Sequence, residues 1–297
     1  MLFHVISSAW IHDYRWKAAL AVRDWPADNH FEITTIGENI KYVLKKKVCI
    51  GSATHHPRYF YKPCMNKIPD VVQCDACKKV NLSHVCEICD GNNCRIPELD
   101  YFCKKPHVMY LAAFSKDNIK IGTSYYKTFI NRIVEQGPIM VCKIGTVPNK
   151  QIAGNLEKAI SNEYKIPERI TSSLKERLLN NQIQEEEILC KLKEIITNLK
   201  QSRQELITQN LDDQPEYISM SNYYNIDYLC NHKNKFCHYS YKEGDMIKGE
   251  VKASIGSFSI LEFKGLSYIL NMKKLSGWII DTESKGSIQS NLNYNDF

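Results

Sequence analysis

The chain has 297 residues, 43% of them hydrophobic and 24% charged, which supports a packed fold of two or three domains and excludes wholesale disorder or collagen-like repetition. It carries 39 Lys and Arg against 33 Asp and Glu, a formal charge of +6, too mild by itself to mark a basic tail. No run approaches the ~18–20 apolar residues that span a bilayer, and MLFHVISSAW has no basic n-region, so a cytoplasmic protein without a membrane partner is expected.

In chain order, residues 1–47 form an N-terminal β segment: LFHVISSAWI, AALAVRDW, HFEITTIG and KYVLKKKVCI are short β-branched or aromatic runs between polar turns. Residues 48–105 are cysteine-rich. Eight of the twelve cysteines fall here: Cys49, Cys64, Cys74, Cys77, Cys86, Cys89, Cys94 and Cys103. Without a secretion signal, such clustering favours metal over disulfides. Cys74-x-x-Cys77 and Cys86-x-x-Cys89 have the two-residue gap that lets paired thiolates reach one tetrahedral zinc. One structural zinc is therefore expected on Cys74 and Cys77 with partners among Cys86, Cys89, Cys94 and Cys103, and His84 is a further candidate. A reduced cysteine-rich loop and intracellular disulfides are the alternatives. The polar run GNNCRIPELDYFCKKP offers little apolar surface, so a metal would supply its folding energy directly.

Residues 106–170 read as a compact core. PHVMYLAAF and NIKIG are two strands joined by Ser115-Lys116-Asp117-Asn118, a turn by composition. A helix from Lys127 to Glu135 follows and stops at Gly137-Pro138. PIMVCKIGTV is a third strand, and Ile152 to Tyr164 a second helix with Ile152, Leu156, Ala159, Ile160 and Tyr164 on one stripe. The order is β-β-α-β-α. Residues 171–211 are a helical insertion that Ser173-Leu-Lys-Glu176 would cap. Ile188, Leu192, Ile195, Leu199 and Leu206 repeat along it, as one coiled helix or as a hairpin. Asp212, Asp213 and Pro215 mark a linker, and residues 212–297 form a small C-terminal β-domain punctuated by Gly256, Gly265 and Gly277. The two terminal β segments are candidates for one shared sheet. Cys230-x-His232 with Cys237-His238 is a weaker second metal candidate.

The charge excess is local. Lys104 to Lys150 holds eight basic residues, among them Lys116, Lys120, Lys127 and Arg132, against Asp117 and Glu135. The same window contains Tyr110, Tyr125 and Tyr126, and cations interleaved with aromatics suit phosphates and bases. A solvated face over core aromatics is the alternative.

His107–Ala112 (HVMYLA), Ile119–Gly122 (IKIG), Arg132 with Glu135-Gln136-Gly137, and Glu157 on the following helix resemble the core of the GIY-YIG nucleases. With the cysteine segment and the C-terminal meander, the chain is similar to an archaeal and bacterial family known only as a domain of unknown function. The resemblance implies an α+β fold with a phosphodiester-cleaving ancestry, in which Tyr110, Gly122, Arg132 and Glu157 fall on family positions. Glu157 would hold Mg²⁺ or Mn²⁺, and Arg132 would neutralise charge on the phosphate. Lys120 stands where the family has its second tyrosine, and the late asparagine has no clear equivalent. Relatives also pair cysteines where this chain has Cys49-Ile-Gly-Ser52 and Tyr61-Lys-Pro-Cys64, so Cys49 and Cys64 join the metal candidates, with His55 or His56. The expectation is a zinc-stabilised binder of structured RNA, ribosomal or transfer, with Lys116, Lys120, Tyr125, Tyr126, Lys127 and Arg132 at the interface. A metal-dependent endonuclease using Tyr110, Lys120, Arg132 and Glu157, and a protein scaffold acting through the long helix, are the alternatives.

Overall fold

The computed structural model describes residues 1–27, 30–53, 61–81, 89, 100–181, 184–225, 228–229, 236–282 and 288–290. It divides into two units, Met1–Glu87 with Lys233–Phe297, and Ile88–His232. The fold is mixed α/β.

The first unit is built on a ten-stranded sheet. Its N-terminal strands β1 (Leu2–Asp13), β2 (Arg15–Asp24), β3 (Phe31–Ile36) and β4 (Asn39–Lys47) are the four runs expected from sequence. The C-terminal strands are β11 (Cys237–His238), β12 (Met246–Ile255), β13 (Phe258–Phe263), β14 (Leu266–Asn271), β15 (Trp278–Thr282) and β16 (Ile288–Ser290). Their order is β11-β14-β13-β12-β4-β15-β1-β2-β3-β16. Because β15 pairs with both β1 and β4, the two ends of the chain do share one sheet. In β4, Ile40, Tyr42 and Leu44 are buried while Lys41 and Val43 between them are only half-buried. That period of two fixes which face packs inward.

Beyond β4 the backbone stays hydrogen-bonded. Val48 N–H donates to Gly277 O at 2.7 Å, Cys49 N–H to Ile68 O at 2.8 Å and Ile50 N–H to Val72 O at 2.9 Å. The short strands β5 (Ser52–Ala53) and β6 (Tyr61–Lys62) pair, and a helix α1 (Asp75–Lys79) follows.

The second unit contains α2 (Asp100–Cys103), β7 (His107–Ser115), β8 (Asn118–Tyr125), a 3-10 turn at Tyr126–Thr128, α3 (Phe129–Gln136), β9 (Met140–Val147) and α4 (Lys150–Tyr164). From β7 onward this is the β-β-α-β-α order. Gly137 closes α3 in the left-handed region at φ 74°, where glycine carries no Cβ penalty. The four-stranded antiparallel sheet runs β10-β9-β7-β8, with β10 at Glu216–Ser219. The Asp212–Pro215 stretch therefore does not leave this unit: Asp212 N–H donates to Ile144 O at 2.7 Å and the chain adds a strand to β9.

The expected single helix or hairpin over 171–211 is instead three helices, α5 (Ser172–Leu178), α6 (Glu185–Lys200) and α7 (Glu205–Thr208). The cap is Thr171, whose Oγ1 accepts from Leu174 N–H at 3.2 Å, so the Ser173–Glu176 box does not form. Ile188, Leu192, Ile196 and Leu199 are buried on α6, which packs against β7 and β9 of its own sheet. Ile195 is only half-buried, and in α7 Ile207 rather than Leu206 faces inward. Among the described residues no helix is long and apolar enough to cross a membrane.

Candidate functional site

The four thiols of Cys49, Cys64, Cys74 and Cys77 lie within 4.8 Å of one another. Each arrives by a different local device. Cys49 ends the β4 extension, Cys64 follows β6, and Cys74 is the residue before the first turn of α1, with Cys77 inside that helix. Gly51 makes the crossing possible: its φ is +91°, and a Cβ there would sit 1.8 Å from Lys62 O. Backbone donors converge on sulfur, Gly51 N–H to Cys49 Sγ at 3.4 Å and Cys74 N–H to the same atom at 3.2 Å. Gln73 Nε2 donates to Gly51 O at 2.7 Å, and Gln73 Oε1 accepts from Asn81 Nδ2 at 3.2 Å.

This donor set fits zinc. A tetrahedron with ~2.3 Å zinc–sulfur bonds has edges near ~3.8 Å, and Cys64 Sγ lies 3.9 Å from Cys74 Sγ. The thiols are free of disulfides. Burial pushes the Cys64 thiol up, but N–H groups of Ile68 and Asn66 and the neighbouring Cys49 and Cys77 thiols more than offset it and hold it near about 7. Burial and the neighbouring thiols push Cys77 up, and burial also raises Cys49. Four thiolates at this spacing need a compensating cation, and a divalent metal supplies it.

The set corrects the expected one. Cys74 and Cys77 belong to it, and their partners among the described residues are Cys49 and Cys64, which the resemblance had added to the candidates. Cys89 and Cys103 are described and stand outside the group. Cys86, Cys94, His84, His55 and His56 lie outside the described residues, as do Cys230 and His232 of the weaker candidate. His107 opens β7 with its Nδ1 donating to Lys105 O at 2.8 Å, which occupies one ring nitrogen structurally.

In the second unit the sheet brings together Tyr110, Lys120, Arg132 and Glu157. Tyr110 is buried, opposite Gly122 in the β7–β8 ladder. Its ring lies across the glycine so closely that a Cβ at 122 would be 2.7 Å from Tyr110 Cζ. Gly122→Ala is accordingly expected to cost about 1–3 kcal/mol by overpacking, read as a lower denaturant midpoint in unfolding followed by circular dichroism. The hydroxyl accepts from Gln136 Nε2 at 2.9 Å, and the nearby Arg132 charge favours its ionised form. Arg132 and Gln136 are one helical turn apart on α3, so both lie on the face turned to Tyr110. Lys175 Nζ donates to Gln136 O at 2.8 Å, and Tyr224 Oη donates to Val134 O at 3.0 Å, which satisfies carbonyls at the end of α3.

Glu157 sits on α4 beside the buried Ala153, Leu156 and Ile160. Asn149 caps this helix by accepting from Ile152 N–H at 2.9 Å. Lys165 then takes a left-handed turn at φ 55°, and Ile121 N–H donates to Pro167 O at 3.1 Å. That contact folds Glu168 and Arg169 over β8, with Lys120 Nζ donating to Glu168 O at 3.3 Å. Burial pushes the Glu157 carboxyl up to about 7 and Glu168 adds to it, against the pull of Lys120, Arg132 and Arg169. Burial lowers Lys120 to about 8, with Arg132 and Arg169 pushing the same way and Glu157 and Glu168 opposing. Burial also raises Tyr110, more than Arg132 and Gln136 lower it. The site is thus a partly dry cluster in which three cations face two carboxylates. Gln136, Glu168 and Arg169 were not assigned roles from sequence; Glu168-Arg169 gives no signal of its own, because only the turn after α4 brings it near.

The remaining expected interface residues lie elsewhere in the unit. Lys116 pairs with Glu187 on α6 at 2.8 Å. Tyr125 and Tyr126 contact each other at 5.1 Å between ring centroids, and Lys127 Nζ stands 6.0 Å from the Tyr126 ring.

No curated protein and no solved structure matches the chain. The model of a family described as protein of unknown function, DUF2797, matches residues 37–280, a span that includes all four clustered cysteines and the whole Tyr110–Arg169 cluster. The chain belongs to this family, DUF2797.

Proposed function

We propose that the protein is a zinc-stabilised, cytoplasmic binder of structured RNA, ribosomal or transfer, with a degenerate GIY-YIG-like core that grips phosphate without cleaving it. The carrying observation is the gathering of Lys120, Arg132 and Arg169 around half-buried Glu157. Cations held by neighbours in a partly dry site present less reorganisation to an incoming phosphate than freely hydrated surface lysines. The β-β-α-β-α order and the Tyr110–Gly122 pairing are in keeping with the GIY-YIG resemblance.

The second reading is a metal-dependent phosphodiesterase. Its support is that Tyr110, Arg132 and Glu157, the residues on family positions, lie near enough for the two charges to act on the tyrosine. Two features weigh against it. Burial raises Tyr110, so its phenolate is not available near neutral pH as a base, and Lys120 adds a cation where the nuclease resemblance calls for a tyrosine. In either case the Cys49–Cys64–Cys74–Cys77 set would hold zinc as a closed structural site, since four thiolates leave no open position.

The test is salt-dependent binding. Replacing Lys120, Lys127 and Arg132 together with alanine is expected to weaken affinity for transfer or ribosomal RNA and flatten its dependence on salt, because each lost phosphate contact removes released counterion. Unchanged affinity and slope in a folded triple variant would place binding elsewhere.

A further inference from the structure

We propose that Tyr101 and Tyr126 are the outer rungs of an aromatic platform on which unpaired nucleotide bases stack, an inference that deepens the RNA-binding reading and rests on it. Four rings form a continuous ladder. Tyr101 and Phe102 on α2 meet edge-on at 5.6 Å, Phe102 meets Tyr125 at the end of β8 at 5.8 Å, and Tyr125 meets Tyr126 at 5.1 Å. The interplanar angles are 80°, 83° and 78°. The inner rings are half-buried, whereas Tyr101 is 61% and Tyr126 43% exposed.

A lysine lies over each outer ring. Lys105 Nζ lies 4.2 Å from the centroid of Tyr101, and Lys127 Nζ lies 6.0 Å from that of Tyr126. The backbone under the ladder is tied. Tyr126 N–H donates to Pro106 O at 3.1 Å, Lys105 N–H to Phe102 O at 3.2 Å, and Thr128 Oγ1 to Tyr125 O at 3.4 Å. Single exposed tyrosines need no explanation. Two on one pre-formed ladder, each with its own cation, match what a single strand offers, namely flat base faces joined by phosphates at short intervals. A duplex hides those faces in its stack, so charge and shape together select an unpaired segment. The platform uses Tyr101 and Lys105, which lie at the end of the cysteine-rich stretch, together with Tyr126 and Lys127.

The test is fluorescence anisotropy on the full chain with three labelled probes: a short oligouridylate, an oligothymidylate of equal length and a blunt RNA duplex. Tyr101→Leu and Tyr126→Leu are each expected to lower oligouridylate affinity by about tenfold. Duplex affinity and the salt slope should stay unchanged, since no phosphate contact is lost. Tyr101→Phe and Tyr126→Phe, which keep the rings, should retain affinity. Unchanged oligouridylate affinity in a double leucine variant that circular dichroism shows to be folded would overturn the platform and leave RNA binding standing. Equal binding of oligothymidylate, lost in the leucine variants and unaccompanied by any preference for RNA, would uphold the platform and overturn the RNA reading. No binding of any probe by the wild type would overturn both.

Discussion

Cys49→Ser, Cys64→Ser and Cys74→Ser are each expected to remove about one zinc per chain from purified protein, while Cys190→Ser leaves zinc content unchanged. The structure separates the two groups, because Cys49, Cys64, Cys74 and Cys77 have their sulfurs within 4.8 Å of one another and Cys190 is an exposed cysteine on α6. The energetic stake is large. Structural zinc in small domains contributes roughly 10–16 kcal/mol of apparent binding energy at neutral pH, and the segment it would hold has little else. Between Cys64 and Lys79, Met65, Ile68 and Val72 are exposed, α1 buries none of its residues, and the backbone bonds of Cys49 and Ile50 to Ile68 and Val72 close only if that loop stays folded. Loss of one thiolate should therefore expose residues 48–81 to protease and free the three remaining thiols to a thiol reagent, with the β7–β8 core of the second unit retained. A chelator should reproduce the effect in the wild type. Full zinc content in Cys64→Ser, or its loss in Cys190→Ser, would overturn this set.

The reason this set was only partly legible is topological. A two-residue gap reads directly as a knuckle, which is why Cys74 and Cys77 stand out. Cys49 and Cys64 are solitary in sequence, and nothing in their spacing shows that β5 and β6 pair and return Cys64 beside Cys49. Gly51 was the available signal: a glycine two residues after a cysteine lets the N–H turn back onto sulfur, and at φ +91° it tolerates no other residue without strain.

The strands were easier. Runs such as AALAVRDW and PHVMYLAAF carry β-branched and aromatic residues between turn formers, and local preference agrees with burial there. The insertion after residue 171 was misread because an apolar stripe continues in sequence across breaks in the backbone. Asn180 and Asn181 N–H groups turn back to Arg177 O and Leu178 O, and Ser202 Oγ accepts from Gln204 N–H at 3.1 Å, so the stripe restarts on a new axis and Ile207 replaces Leu206 in the core. The Tyr110 cluster was legible by motif, since α3 and α4 place Arg132 and Glu157 by helical phase. Its loop half was not, because the position of Arg169 depends on one left-handed residue, Lys165, and one hydrogen bond to Pro167 O.

In that cluster, Arg132→Ala should weaken RNA binding by about tenfold or more, and Glu157→Gln should leave it unchanged or strengthen it. A hydrogen bond to a charged partner contributes about 1.5–3 kcal/mol, and Arg132 supplies one near Tyr110 and Glu157, whereas Glu157 opposes phosphate with a like charge. The pH profile identifies the groups. Glu157, raised from its ordinary 4.5 to about 7, binds more protons folded than unfolded between those values, so stability falls as pH rises from 4.5 to 7. Lys120, lowered from 10.5 to about 8, binds fewer protons folded, so stability recovers between about 8 and 10.5. RNA affinity should rise as pH drops through about 7, where Glu157 loses its charge, and fall as pH climbs through about 8, where Lys120 loses its own. Glu157→Gln should abolish the acidic step in both profiles and move the alkaline one downward, because Lys120 loses the carboxylate that favours its cation. A nuclease behaves differently: the wild type would cleave RNA or DNA with added Mg²⁺ or Mn²⁺, Arg132→Ala would slow cleavage by roughly 10²–10³, and Glu157→Gln would end the metal response while binding persisted. Metal-dependent cleavage lost in both variants would establish the nuclease; an absence of turnover, with affinity lost in Arg132→Ala and kept or raised in Glu157→Gln, is the outcome that a phosphate grip built from Lys120, Arg132 and Arg169 requires.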